Sequence, residues 1–172
     1  MWNEQIIMML LEGIKDTLYM TLTSTLIGYV IGLPMGILLT VTDKDGIHPN
    51  AAVYKVLDVI ANLIRSVPFL ILLIVLIPFT RFLIGRSYGP TATIVPLVIA
   101  AAPYIARMVE SSLKEVDAGV IEAARSMGAS NFTIVTKVML VEARTSLIVG
   151  ATISLGTCLL YTSPSPRDMR RS

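Results

Sequence analysis

Two groups of residues have types and spacings that can do chemistry, and neither is catalytic. The first lies in the run from Glu115 to Ser130. Asp117 is placed to offer its carboxylate as an N-cap to the free amides of a first helical turn. Glu122, Ala123 and Ala124 follow in that helix, and Gly128 stands where a left-handed residue ends it. Ser130 or Asn131 can then cap a second helix. A short, small-faced helix held crosswise between two sharp turns is a knob for a groove on another protein. The second group is Asp58, Asn62 and Arg65, which share a helical face by steps of four and three. Charge within a membrane is costly, so this stripe faces a bundle or an aqueous cavity. It is either part of a translocation path or a polar stripe at the mouth of one, satisfied by headgroups and water.

Enzymatic chemistry has little to work with. His48 is the single histidine and Cys158 the single cysteine, so no disulfide framework, cysteine cluster or multi-histidine metal site is expected. No nucleophile–base constellation and no phosphate loop is present, and no cofactor is expected. The net charge of +2 is too small for a nucleic-acid binder.

The elements that must position these groups are membrane helices. Of the 172 residues, 54% are hydrophobic and 15% charged, and the mean hydropathy is +0.74. Soluble domains carry about 25% charged residues. A spanning helix needs about 20 mostly apolar residues. Thr17–Thr42 is free of charge and is the clearest span; Ser87–Ala106 is the second. Val56–Phe79 reads as one helix that starts near the membrane surface at Asp58 and Arg65 and runs inward. Thr145–Tyr161 is a shorter fourth. Ahead of them, Trp2, Ile6, Met9, Leu10 and Ile14 recur at helical spacing. They form either a short interfacial helix anchored by Trp2 or an extension of the first span.

The first span is built for close packing. Gly28, Gly32 and Gly36 repeat at four-residue spacing, and small residues on one face let backbones approach in lipid. Pro34 is expected to bend this helix, and Ala100-Ala101-Ala102-Pro103 offers a second small, kinked surface. Positive charge retains short loops in the cytoplasm. Lys44, Lys55, Arg107, Lys114, Arg125, Lys137 and Arg144 fall on one side, against Lys15, Arg81 and Arg86 on the other. The N-terminus is therefore expected outside, and both 42–55 and 107–144 inside.

With these residues in view, the chain resembles a family. Glu122-Ala123-Ala124, three further residues and Gly128 match the EAA loop of bacterial ABC importer permeases. The Ile-x-Leu-Pro of that pattern falls on Val138-Met139-Leu140-Val141, with Leu140 kept and the Pro missing, so the coupling loop spans 115–141. Arg65-Ser66-Val67-Pro68-Phe69, Ile77-Pro78-Phe79-Thr80, Ala101-Ala102-Pro103-Tyr104 and Glu115-Val116-Asp117 are similar to the methionine-importer permeases. The resemblance covers roughly residues 1–155.

It implies an all-α, polytopic membrane bundle of the type I importer permease fold in a bacterial inner membrane. It further implies two permease copies forming the pathway in lipid, cytoplasmic ABC ATPase subunits docked on Glu122, Ala123, Ala124 and Gly128, and a substrate-binding lipoprotein outside. ATP hydrolysis belongs to the ATPase partner. The solute is methionine or another amino acid. A secondary carrier or channel fragment remains the alternative of another class, with few intramembrane ionisable groups in its favour. The substrate-contacting residues are not assigned. Residues 1–160 form the permease domain, with about four spans against the five of the family. Residues 161–172, polar and interrupted by Pro164 and Pro166, resemble a translated adapter sequence and are expected to be a non-native tail.

Overall fold

In the computed structural model, residues 4–86 and 89–162 are described, and among them the chain is helical with no strands. Of the predicted tail 161–172, Tyr161 and Thr162 continue the last helix; the rest of it, the Trp2 anchor and the Ser87 boundary lie outside the described residues.

Helix α1 runs unbroken over Glu4–Thr42, with Pro34 accommodated inside it. The residues around Ile6–Ile14 are therefore an extension of the first span and not a separate interfacial helix. At about 1.5 Å per residue its 39 residues reach roughly 58 Å, well beyond a hydrocarbon core of about 30 Å.

The stretch expected as one helix over Val56–Phe79 is two. Helix α2 spans Ala51–Ser66 and α3 spans Phe69–Ile84. They meet at an angle of 109°. The cause is Pro68. The residue before a proline is pushed out of the helical region, and Val67 is extended (φ −83°, ψ 124°). Proline also lacks the N–H that would continue the ladder. The Pro68 carbonyl then restarts a helix by accepting from the Ile71 amide at 2.9 Å. At the other end, Asn50 caps α2 by accepting from the Val53 amide at 3.3 Å.

Helix α4 spans Pro90–Lys114, eight residues further than the expected end at Ala106. It takes Arg107, Glu110 and Lys114 into the helix, where the sequence suggested loop. A short helix α5 (Ala118–Ser126) follows. Then come α6 (Asn131–Thr133), a π-helical stretch (Ile134–Met139), α7 (Leu140–Glu142) and the last helix α8 (Arg144–Thr162). Among the described residues three helices, α1, α4 and α8, are long and apolar enough to cross a membrane, or up to four crossings if the bent α2–α3 pair is one.

Helix α4 is the centre of the bundle. Gly28 lies against Ala101 and Ile105, and Gly36 against Ala106 and Val109, so α1 and α4 run parallel. Tyr54 meets Glu110 and Asp58 meets Arg107, so α2 runs antiparallel to α4. Ser146 meets Glu115 and Gly150 lies beside Met108, so α8 is antiparallel as well. The core stripe Ala101, Ile105, Val109 and Leu113 steps by four along α4. It continues into Ala124, Ile134, Val135, Met139 and Ala143 of the segment beyond α4. One continuous apolar core thus joins the spanning bundle to α5.

Candidate functional site

The segment after α4 is shaped by caps encoded within it. Asp117 Oδ1 accepts from the Gly119 amide at 2.6 Å and opens α5. Gly128 closes it with φ +80°, a conformation that costs a side-chain-bearing residue about 1–2 kcal/mol. The Gly128 amide donates to Arg125 O at 3.0 Å and the Ala129 amide to Ala124 O at 3.1 Å. This paired closure is the Schellman arrangement. Ser130 then caps α6, its Oγ accepting from the Thr133 amide at 3.3 Å.

Burial divides the four candidate coupling residues. Ala124 is buried in the core, whereas Glu122, Ala123 and Gly128 are exposed. Two apolar side chains beside them also face outward: Met127 is 82% and Phe132 78% exposed. With Val120 and Ala123, Met127 forms an i, i+3, i+7 stripe. Sequence reading passed over Met127 and Phe132; the signal was a large apolar residue at each edge of a capped turn.

The same end of the bundle holds a chain of charges. Arg107 Nη2 pairs with Asp58 Oδ1 and donates to Asn62 Oδ1 at 3.2 Å. Its Nη1 pairs with Glu110 Oε2 at 2.7 Å. Asn62 Nδ2 donates to Asp58 Oδ2 at 3.2 Å. Glu110 Oε1 accepts from Lys114 at 2.8 Å and from the Tyr54 hydroxyl at 3.4 Å. Lys114 reaches Asp43 Oδ2 at 2.6 Å and lies over the Tyr54 ring, 5.9 Å from its centroid. The Glu110 side chain is only 6% exposed; a carboxylate so placed needs its two cations. The Lys114 ammonium, bonded to Asp43, holds that carboxyl below its ordinary value; burial opposes this and the Lys44 amide assists.

Asp58 and Asn62 are both hydrogen-bonded to Arg107. Arg65, the third member of the expected stripe, is not in this network; it lines a cavity at the α2–α3 break. Sequence reading missed the hub. Arg107, Glu110 and Lys114 recur at i, i+3, i+7, the spacing of one helical face, and that was the available signal.

The three glycines meet α4 with different clearances. A Cβ on Gly36 would stand 2.6 Å from Ala106 O and Val109 Cβ, and on Gly32 2.7 Å from Ala102 O. On Gly28 it would stand 3.0 Å from the mobile tip of Ile105.

The chain is thus an all-α bundle of long apolar helices with a capped turn fastened to its core. Residues 7–163 match the family described as binding-protein-dependent transport system inner membrane component, and the chain belongs to that family. It is 48% identical over 161 residues to the D-methionine transport system permease protein MetI of Salmonella typhimurium, covering 94% of this chain and 74% of that one. The figures for MetI of Escherichia coli are the same, 48%, 94% and 74%. A solved structure described as an inward-facing conformation of the MetNI methionine ABC transporter superposes with a TM-score of 0.91. That match has 49% identity and covers 93% of this chain and 74% of that chain. An amino acid ABC transporter solved with histidines shares the fold alone, with a TM-score of 0.70 at 22% identity, covering 92% and 72%. The fold is that of a type I ABC importer permease, and the chain is a multi-pass membrane permease subunit.

Proposed function

We propose that this chain carries methionine across a bacterial inner membrane as the permease subunit of an ATP-driven importer. The observation that supports this best is the likeness at 48% identity to permeases named for D-methionine transport. In this reading two copies line the pathway. Separate cytoplasmic ATPase subunits grip the exposed face of α5, with Glu122, Ala123 and Gly128 at the contact and Ala124 anchoring it to the core. A substrate-binding lipoprotein delivers the solute from the other side. The N-terminus lies outside and α5 inside.

The mechanics follow from the shared core. Closure of the ATPase pair moves α5, and the caps at Asp117 and Gly128 let it move as a unit. The stripe from Ala124 through Leu113 to Ile105 transmits that displacement to α4. Because α4 packs on α1, α2 and α8, rotation of α4 re-aims the bundle.

The test is uptake of labelled methionine by proteoliposomes holding this sequence within an intact five-helix permease, its ATPase and its binding protein. ATP-dependent accumulation is expected; transport of other amino acids without methionine would overturn the substrate. A cysteine introduced by Ser126→Cys is expected to resist an impermeant thiol reagent in intact cells. Efficient labelling would overturn the orientation.

A further inference from the structure

The turn at Pro68 leaves a cavity of 240 Å3 between the α2–α3 break, α4 and α8. Ligand sites for drug-sized molecules run from about 300 Å3 upward, so this one suits something smaller. Its wall is unequal. On the apolar side stand Phe69, Leu72 and Tyr161, the last placed in the expected tail but inside the family match over residues 7–163, with the Phe69 and Tyr161 rings stacked at 4.6 Å between centroids. On the polar side stand Arg65, Tyr104, Ser154 and Thr157.

Arg65 is the one charged residue of the lining. Unlike Arg107, it makes no hydrogen bond or ion pair among the described residues. An unpaired guanidinium beside a cavity selects a carboxylate, which it grips through two parallel hydrogen bonds. Ser154 and Thr157 have spent their hydroxyl protons: Ser154 donates to Gly150 O at 2.8 Å and Thr157 to Ile153 O at 3.0 Å. Each retains only acceptor capacity, which suits an ammonium weakly. The aromatic wall suits an unbranched apolar chain, and a thioether in particular, since sulfur is attracted to ring edges.

Resting on the methionine reading above, we infer that this cavity is a substrate site within the membrane. It takes the carboxylate of an α-amino acid on Arg65 and its unbranched side chain against Phe69, Leu72 and Tyr161. The lining holds no acidic residue to fix the ammonium. The loose ammonium keeps affinity low, as a site that must release its solute requires.

The probe is the diazirine analogue of L-methionine, photolysed with the assembled permease–ATPase complex and mapped by mass spectrometry. Label is expected on peptides carrying Phe69–Leu72 or Thr157–Tyr161. L-methionine is expected to compete, and methioninamide, which lacks the carboxylate, at least tenfold more weakly. Arg65→Ala is expected to lower labelling tenfold or more, and Arg65→Lys to restore part of it; co-purification of the ATPase checks that each variant assembles. Label elsewhere, Arg65→Ala labelled like the parent, or methioninamide competing within tenfold would overturn the inference. Methionine uptake by the same parent preparation separates the two claims. Uptake without label in the cavity sinks this site alone, and absence of uptake sinks the methionine reading.

Discussion

The capped turn at Asp117–Thr133 and the charge chain at Asp43–Lys114 occupy the same end of the bundle, yet they are assembled in opposite ways. Every cap in the turn joins residues five or fewer apart. The charge chain joins residues 49 and 56 positions apart. The turn's caps are encoded within its own sequence, and it presents a face. The charge chain exists only once α1, α2 and α4 have docked, and it clamps them. Damage to the clamp is therefore expected to cost global stability, and damage to the turn to cost coupling.

The largest expected effect comes from the hub of the clamp. Arg107→Ala strands Glu110, which is 6% exposed, with one cation fewer. Breaking a buried pair from one side costs about 3–5 kcal/mol. Thermal unfolding in detergent is expected to show this loss, and Glu110→Gln in the same chain to recover more than half of it. No recovery would mean that Arg107 acts by packing and not by pairing.

Next is the glycine seam between α1 and α4, which sharpens the comparison because the seam was legible while its partner was not. At Gly36 the added methyl meets Ala106 O, a backbone atom that cannot yield. Gly36→Ala is expected to cost about 1–3 kcal/mol, as overpacking does. Gly32→Ala should cost slightly less, and Gly28→Ala the least, since the Ile105 tip can turn aside. Equal effects at all three would place the seam elsewhere. The spacing of the glycines identified a packing face; that α4 of the same chain fills it depends on contacts about 70 positions away, which no local pattern carries.

The same distinction explains what else was legible. Asp117, Gly128 and Ser130 were readable because a cap is a rule about neighbours. The break at Pro68 was readable in principle by the rule for the residue before proline, but the run of Leu, Ile and Val after it outweighed the proline. The division of Asp58 and Asn62 from Arg65 was not readable. All three share one face of α2, and only the arrival of Arg107 from α4 decides which are neutralised and which is left at the cavity.

At the turn the expected effect is smaller in stability and larger in coupling. A Cβ at Gly128 meets nothing within 4 Å, so any cost of substitution lies in its φ of +80°. Gly128→Val is expected to destabilise the fold by no more than about 1–2 kcal/mol while lowering ATPase co-purification and transport at least fivefold. Gly128→Asn, which tolerates the left-handed region, is expected to keep most of both. Glu122→Lys reverses an exposed charge and is expected to weaken docking with no change in melting. If Asn is as harmful as Val, the site matters for a close approach by the partner and not for backbone conformation.

The smallest effect is at the outer link of the clamp, between Asp43 and Lys114, where the Asp43 side chain is 21% and the Lys114 side chain 43% exposed. Solvent screening limits such a pair to about 0.2–1 kcal/mol. Its sign is nevertheless fixed. Lys114 holds the Asp43 carboxyl below its ordinary value, so the folded chain binds that proton less readily than the unfolded chain. The stabilisation is then fully present above the ordinary aspartate value of about 3.9. It is lost as the pH falls through the lowered folded value. Above that window the link is expected to give no slope at all. Asp43→Asn should therefore flatten the acid side of the stability profile, by a fraction of a kcal/mol, and leave the neutral side parallel to the parent. High salt should shrink the difference, because an exposed pair is screened while Arg107 and Glu110 are not. A flattening that survives 1 M salt would place this link among the buried ones, and the clamp would then extend undiminished from α2 to the end of α1.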